Sequence, residues 1–294
     1  MTGGEIATIR EMLAARPRPT SLEERRLRLD GLGKQYPVAS DIRVEPTELG
    51  GVRAEWTTAP GADASRVILF LHGGGYISGS IASHRHMISQ AGRLAAARTV
   101  ALDYRLAPEH PFPAALDDAV AAYQALLAQG FAPHRIALAG ESAGGGLAVA
   151  TLVRLRAAGT PLPACVWCSS PWVDLENAGA TMVTKEAVDP LISKAYLDEL
   201  AGLYLHGAAA RTSLASPIHA DLHGLPPMLI QVGSAETLLD DALRLAGVAA
   251  AADVRVTLQV WPEMIHAWHL FHPQLEDGRR ALAEVGAFVR ASLG

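Results

Sequence analysis

Hydrophobic positions along the chain fall into two alternating patterns. Short apolar runs recur at residues 41–45, 52–57, 66–71, 99–103, 135–139, 164–169, 228–232 and 254–260. The run Arg66–Leu71 is apolar almost without interruption, as a strand covered on both faces must be. Gly50-Gly51 lies between the first two runs and reads as a hairpin turn. Longer Ala- and Leu-rich segments at 83–97, 113–128, 143–157, 238–251 and 277–293 carry helical patterns between or after the later runs. Eight strands with helices alternating after the first hairpin predict an α/β fold, a mostly parallel sheet with helices on both faces. Two segments break the alternation. Residues 1–36 are charged and helical, and residues 176–214 form an insertion with a helical stretch at 193–204. Neither supplies a strand. Both are expected to fold over the carboxyl ends of the strands, where open α/β sheets bind ligands. The expected organisation is N-terminal cap helices at 1–36 and a core at 37–294 that carries a cap insertion at about 176–214.

Composition narrows the function classes. A chain of 294 residues suffices for one large domain with a small appendage. The formal net charge is -5 with no basic stripe, which argues against a nucleic-acid partner. The first 28 residues lack the apolar centre of a secretory signal. No stretch approaches the roughly 20 apolar residues of a membrane span, so a soluble, cytoplasmic protein is expected. Cys165 and Cys168 form a C-x-x-C pair inside an apolar strand-like run. Residues three apart on a strand point to opposite faces, and no second pair completes a zinc site. They read as two reduced core thiols.

The chemistry concentrates at strand ends. Gly140-Glu141-Ser142-Ala143-Gly144 is a Gly-x-Ser-x-Gly motif between a strand pattern and a helix pattern. A serine on such a sharp turn is lifted toward substrate, and the crowding requires near-bare neighbours, here Gly140 and Gly144. His72-Gly73-Gly74-Gly75-Tyr76 follows the 66–71 run. Successive glycines leave backbone N–H groups free to converge on a developing oxyanion. A phosphate-cradling loop would want a lysine after the glycines, which Tyr76-Ile77-Ser78 does not supply. A serine nucleophile needs a base, and the base an orienting acid. Beyond Ser142, one strand end delivers Glu236, Asp240 and Asp241, and the next delivers His266. His266, His269 and His272 read as one base and two surface or cap-facing histidines, not as a metal cluster. Glu109, Asp117 and Asp118 are expected to hold their proline-rich loop, His72 to bond the glycine loop, Glu141 to brace the turn, and Asp189-Pro190 to start a cap helix.

Several longer runs carry a resemblance: HGGGY at 72–76, DYRLAPEHPFPAALDD at 103–118, GESAGGGLA at 140–148, SSPWVDL at 169–175, the stretch 216–242, and MIHAWH at 264–269. With them the chain resembles the hormone-sensitive-lipase-like (bacterial family IV) esterases of the α/β-hydrolase superfamily. The resemblance implies an α/β-hydrolase fold, eight-stranded with a helical cap, and a serine carboxylesterase acting on short- to medium-chain acyl esters. It implies a nucleophile at Ser142, a base at His266, and oxyanion donors at the amides of Gly74, Gly75 and Ala143. The family's acid opens an Asp-Pro-Leu-x-Asp run; here the run reads Glu236-Thr237-Leu238-Leu239-Asp240. That puts Glu236 in the acid's place, with Asp240 as the alternative. Tyr76, Trp172 and Tyr204 are candidate pocket walls. No metal or organic cofactor is implied, the partner is a small-molecule ester, and a homodimer through the 254–260 strand is in keeping with the family. The surroundings of Trp268 and Leu270 suggest a lactone hydrolase as the alternative activity. A non-catalytic ligand-binding module is the alternative from another class.

Overall fold

The computed structural model describes residues 3–16 and 19–294; the parts of the expected N-terminal cap segment at 1–2 and 17–18 lie outside the described residues. In chain order the elements are α1 (Gly3–Ala14), α2 (Leu22–Lys34), β1 (Arg43–Leu49), β2 (Val52–Thr58), β3 (Asp63–Leu71), α3 (Ile81–Ala95), β4 (Ala97–Leu102) and α4 (Ala114–Ala128). They continue with β5 (Ile136–Glu141), α5 (Ala143–Ala157), β6 (Cys165–Ser169), the short α6 (Thr181–Thr184), α7 (Lys194–Leu205), β7 (Met228–Gly233), α8 (Leu239–Ala251), β8 (Val256–Trp261) and α9 (Glu276–Leu293). The eight strands make one sheet in the order β1-β2-β4-β3-β5-β6-β7-β8. The β1–β2 and β2–β4 pairs are antiparallel and the rest parallel. The carboxyl ends of β3, β5, β6, β7 and β8 therefore open onto one rim.

Burial explains the strand patterns. Val67 to Leu71 and all of β5, β6 and β7 are buried because helices cover both faces. On one face Ile68, Phe70 and Trp167 pack with α3 and α9; on the other Leu69, Leu138 and Ile230 pack with α4, α5 and α8. Cys165 belongs to the first cluster and Cys168 to the second, both free thiols, in keeping with the strand alternation. The edge strand β8 is only partly covered.

Helix boundaries follow local chemistry. Ser21 and Glu24 form a reciprocal capping box at the start of α2, and Ser80 with Ser83 does the same for α3. Asp103 is not the last residue of β4, as its apolar run suggested; its carboxylate accepts from the Ile81 amide at 2.8 Å and pairs with Arg53. Asp189 does not open a helix either. Ser193 caps α7, while Asp189 accepts from the amides of Leu191 and Ile192, both at 2.9 Å. No helix among the described residues is long and apolar enough to cross a membrane.

Candidate active site

Sterics build the turn after β5. Ser142 sits at φ 53°, in the left-handed region that non-glycine residues rarely occupy. A Cβ on Gly140 would lie well inside 3.0 Å of the Gly144 backbone, and one on Gly144 well inside 3.0 Å of the Leu71 carbonyl. Only glycine fits either place. Ser142 occupies the N-cap position of α5, yet its hydroxyl caps nothing. A capping serine contributes about 1 kcal/mol to its helix. Here the hydroxyl instead lies 3.0 Å from Nε2 of His266.

Glu236 and His266 come from the loops that follow β7 and β8. Nδ1 of His266 lies 2.8 Å from Glu236 Oε2. The second carboxylate oxygen, Oε1, accepts from the Gly233 amide at 2.6 Å and the Ser170 hydroxyl at 2.9 Å. Glu236 is fully buried and His266 nearly so. Burial holds the Glu236 carboxyl above its usual range, against the pull of His266. For His266 burial opposes the charged form, but the Glu236 bond and the charges of Glu236, Glu141 and Asp189 outweigh it and push the imidazole up, to about 9. Both directions describe a pair that retains one proton. Asp240 is elsewhere: its carboxylate accepts from the Ala180 amide at 2.7 Å and lies 3.7 Å from Arg244. Asp241 is buried against the amides of Val173 and Asp174.

The glycine loop faces the same point. His72 bonds the Gly73 carbonyl through Nδ1 at 2.8 Å, and stacks on Tyr104 with centroids 4.1 Å apart. Burial, then the neighbouring His84, pushes His72 down to about 4, so it is a neutral fixture of the loop. Gly74 and Gly75 have φ of 116° and 64°. Among the described residues no acceptor takes the amides of Gly74, Gly75 or Ala143. A serine hydroxyl bonded to an imidazole, a buried carboxylate on the other ring nitrogen, and main-chain amides beside the serine form a constellation suited to acyl transfer.

These groups sit on a cavity of about 450 Å³. Gly74, Gly75, Glu141, Ser142 and His266 line its floor; Leu29, Leu197, Leu200 and Phe271 give it apolar walls, and Arg16, Arg25 and Arg28 also border it. Two arginines fix α2 in this position. Arg26 donates to the Ile77 carbonyl at 2.8 Å and pairs with Glu109; Arg25 pairs bidentately with Glu199 of α7 at 2.8 and 3.0 Å.

A profile described as the α/β-hydrolase fold matches residues 68–270. The chain is 47% identical to an acetyl-hydrolase of Streptomyces hygroscopicus, over 100% of this chain and 99% of the relative. A crystal structure of an esterase from the bacterial hormone-sensitive lipase family superposes with a TM-score of 0.96 at 49% identity, covering 100% of this chain and 98% of that one. The chain belongs to the hormone-sensitive-lipase-like family of α/β-hydrolases. The structure of EstE5 soaked with p-nitrophenyl butyrate superposes with a TM-score of 0.94 at 44% identity over 98% of each chain. This hydrolase is a carboxylic ester hydrolase, as its relatives are.

Most of the other expected residues of the esterase lie away from the cavity. Tyr76, Trp172 and Tyr204 are buried and do not line it. Tyr76 stacks on Tyr204 with centroids 3.7 Å apart and tilts against Trp172 at 6.1 Å, so the three aromatics form one buried cluster. Trp268 is fully buried and does not line the cavity, whereas Leu270 does. His269 is neither surface nor cap-facing. It is buried, with Nδ1 2.9 Å from the Ser169 hydroxyl and Nε2 2.8 Å from Gln231 Oε1. Ala267, at φ 56°, turns the following short 3-10 segment inward. His272 is half-buried and stacks on His86 at 5.5 Å. Asp118 holds its loop through the Arg105 amide at 2.8 Å and its guanidinium. Asp174, Glu176 and His219 could offer a cation three ligand atoms, but Arg244 and Arg211 already pair with the two carboxylates. Sequence reasoning did not single out Ser170, which steadies Glu236, and it read Asp189 only as a helix start, whereas Asp189 accepts from the Thr237 amide at 2.8 Å beside Glu236.

Proposed function

We propose that this carboxylesterase works through a Ser142-His266-Glu236 triad and an acyl-enzyme. The observation that carries the reading is the unbroken hydrogen-bonded line from Glu236 through His266 to Ser142, at 2.8 and 3.0 Å, beside free amides. Nε2 of His266 takes the Ser142 proton as Oγ bonds the ester carbonyl carbon. The amides of Gly74, Gly75 and Ala143 receive the resulting oxyanion. Nε2–H then protonates the leaving alkoxide as the C–O bond breaks, releasing the alcohol. A water attacks the acyl-enzyme, gives its proton to Nε2, and the second collapse returns that proton to Ser142 and frees the acid. Glu236 keeps the hydrogen of neutral His266 on Nδ1 and stabilises the imidazolium.

Short- to medium-chain acyl esters are the proposed substrates. A cavity of about 450 Å³, closed against the glycine loop by Leu200, supports a modest acyl group. Its charged arginines are unlike the apolar lid surface a long-chain lipase uses. The partly covered edge of β8 is the surface through which a homodimer would pair.

The test is hydrolysis of p-nitrophenyl acetate and butyrate by wild type and Ser142→Ala. The expected outcome is a loss of about 10³-fold or more in kcat with the unfolding midpoint unchanged. Turnover surviving in Ser142→Ala would identify another nucleophile.

A further inference from the structure

Glu141 lies on the cavity floor and takes no part in the triad. It ends β5, beside Ser142, and its side chain is 4% exposed. Its Oε2 meets Nε2 of His84 at 3.1 Å. His84 is itself fixed: its Nδ1 lies 2.7 Å from the Ser83 hydroxyl. Gly73 makes room, since a Cβ there would fall on Oε2. The other oxygen, Oε1, is buried without a hydrogen-bond partner and lies 3.4 Å from Nε2 of His266. A buried acceptor left unmatched is costly to the folded state and calls for an explanation. Proton transfer from Ser142 creates such a partner, a positive imidazolium at contact distance.

We propose that Glu141 is a positioning residue acting through His266: its Oε1 faces Nε2, so the imidazolium formed at each proton transfer sits between two carboxylates, Glu236 at Nδ1 and Glu141 at Nε2. This rests on the triad reading above. The proton taken from Ser142 stays on Nε2 until it passes to the leaving alkoxide, and none is transferred to Glu141. At 3.4 Å, Oε1 is farther from Nε2 than the Ser142 hydroxyl at 3.0 Å, so it favours the charge without displacing the nucleophile. The charged groups facing His266 are Glu236 from the loop after β7, Asp189 from the segment before α7, and Glu141 from β5; all three favour its protonated form. Those facing Glu141 are His84 from α3 and His72 from the loop after β3.

The experiment is the pH profile of kcat/KM for p-nitrophenyl butyrate in wild type, Glu141→Gln, Glu141→Asp and Glu236→Gln, with unfolding midpoints measured alongside. Glu141→Gln should move the acid limb about one pH unit lower, because the base then loses its proton more easily. It should also lower the plateau kcat about ten-fold with KM little changed. Glu141→Asp keeps the charge but withdraws it by one methylene, and its limb should fall between the two. A folded Glu141→Gln enzyme with the wild-type acid limb would overturn the proposal and leave Glu141 a structural brace, even if its kcat fell. Should Glu141→Gln fail to fold, Glu141→Asp decides: a lowered limb supports the proposal and an unmoved one overturns it. A limb left in place by Glu236→Gln would show that it does not report His266, which overturns the triad reading and this inference with it.

Discussion

Replacing Glu236 by glutamine tests the buried end of the proposed triad, and the structure sets the size of the effect. Glu236 Oε1 accepts from the Gly233 amide at 2.6 Å and the Ser170 hydroxyl at 2.9 Å. In the variant the amide oxygen must stay with these donors, so the NH2 group faces Nδ1 of His266. Nδ1 then has to accept, the ring hydrogen moves to Nε2, and the imidazole presents N–H rather than a lone pair to Ser142. Flipping the amide restores the useful tautomer but sets NH2 against the Gly233 N–H, which cannot turn away. A buried donor left unpaired costs about 1–3 kcal/mol, so the competent form is suppressed by roughly 5- to 150-fold. Loss of a hydrogen bond to a charged group removes about 1.5–3 kcal/mol more from the imidazolium. Together they predict a fall in kcat of about 10²–10⁴-fold. Asp240→Asn should stay within about two-fold of wild type, since that carboxylate serves the Ala180 amide and Arg244 instead. The assay is kcat for p-nitrophenyl butyrate on the alkaline plateau, with unfolding midpoints as the control for folding. Glu236→Gln within ten-fold of wild type, or Asp240→Asn falling further than it, would refute the assignment.

Three further outcomes are expected. His266 works as a base only when neutral, and its neighbours hold its proton more tightly than an ordinary imidazole, so wild-type kcat/KM should climb with pH through a midpoint above 6.5; a midpoint at or below that value contradicts the two-carboxylate environment. Gly144→Ala forces a Cβ onto the Leu71 and His72 carbonyls, which belong to the sheet and its glycine loop, so thermal unfolding should reveal a loss of about 3 kcal/mol; an unchanged midpoint would mean the turn can relax. Burial pushes the thiols of Cys165 and Cys168 up to about 12, so a thiol reagent should label neither in the native protein and both after denaturation.

The strands and the helices between them were legible because each buried run had one way to satisfy its backbone and both of its faces. Topology then assigned the chemistry. In a parallel sheet every strand delivers its last residues to the same rim, so order alone set Ser142 and His266 on one rim with an acid from the end of β7, while the choice of Glu236 over Asp240 came from the family resemblance; in the structure the Glu236 carboxylate lies 2.8 Å from His266. Boundaries were less legible wherever a polar side chain took over a backbone group. Asp103 left its strand to serve the Ile81 amide, and Asp189, with an Asp-Pro start signal, served the Leu191 and Ile192 amides without opening a helix.

What stayed hidden is the layer of polar side chains beneath the site, since periodicity records which positions are buried and not which buried polar groups meet. His269 was misplaced because a histidine three residues after the base has no pattern that turns it inward. The available signal was on another strand: Gln231 interrupts the apolar run of β7, and a fully buried amide requires partners. It finds them in His269 at 2.8 Å and Trp167 at 3.1 Å. The same reasoning applies to the aromatics. Tyr76 and Trp172 lie within the motif runs and Tyr204 in the cap insertion, yet all three are buried and pack on one another away from the cavity. Proximity to a motif therefore separates poorly between residues that touch substrate and residues that keep the touching ones in position. A buried polar group with an unfilled partner is the sharper guide to the second kind, and Glu141 Oε1 is the clearest case in this molecule.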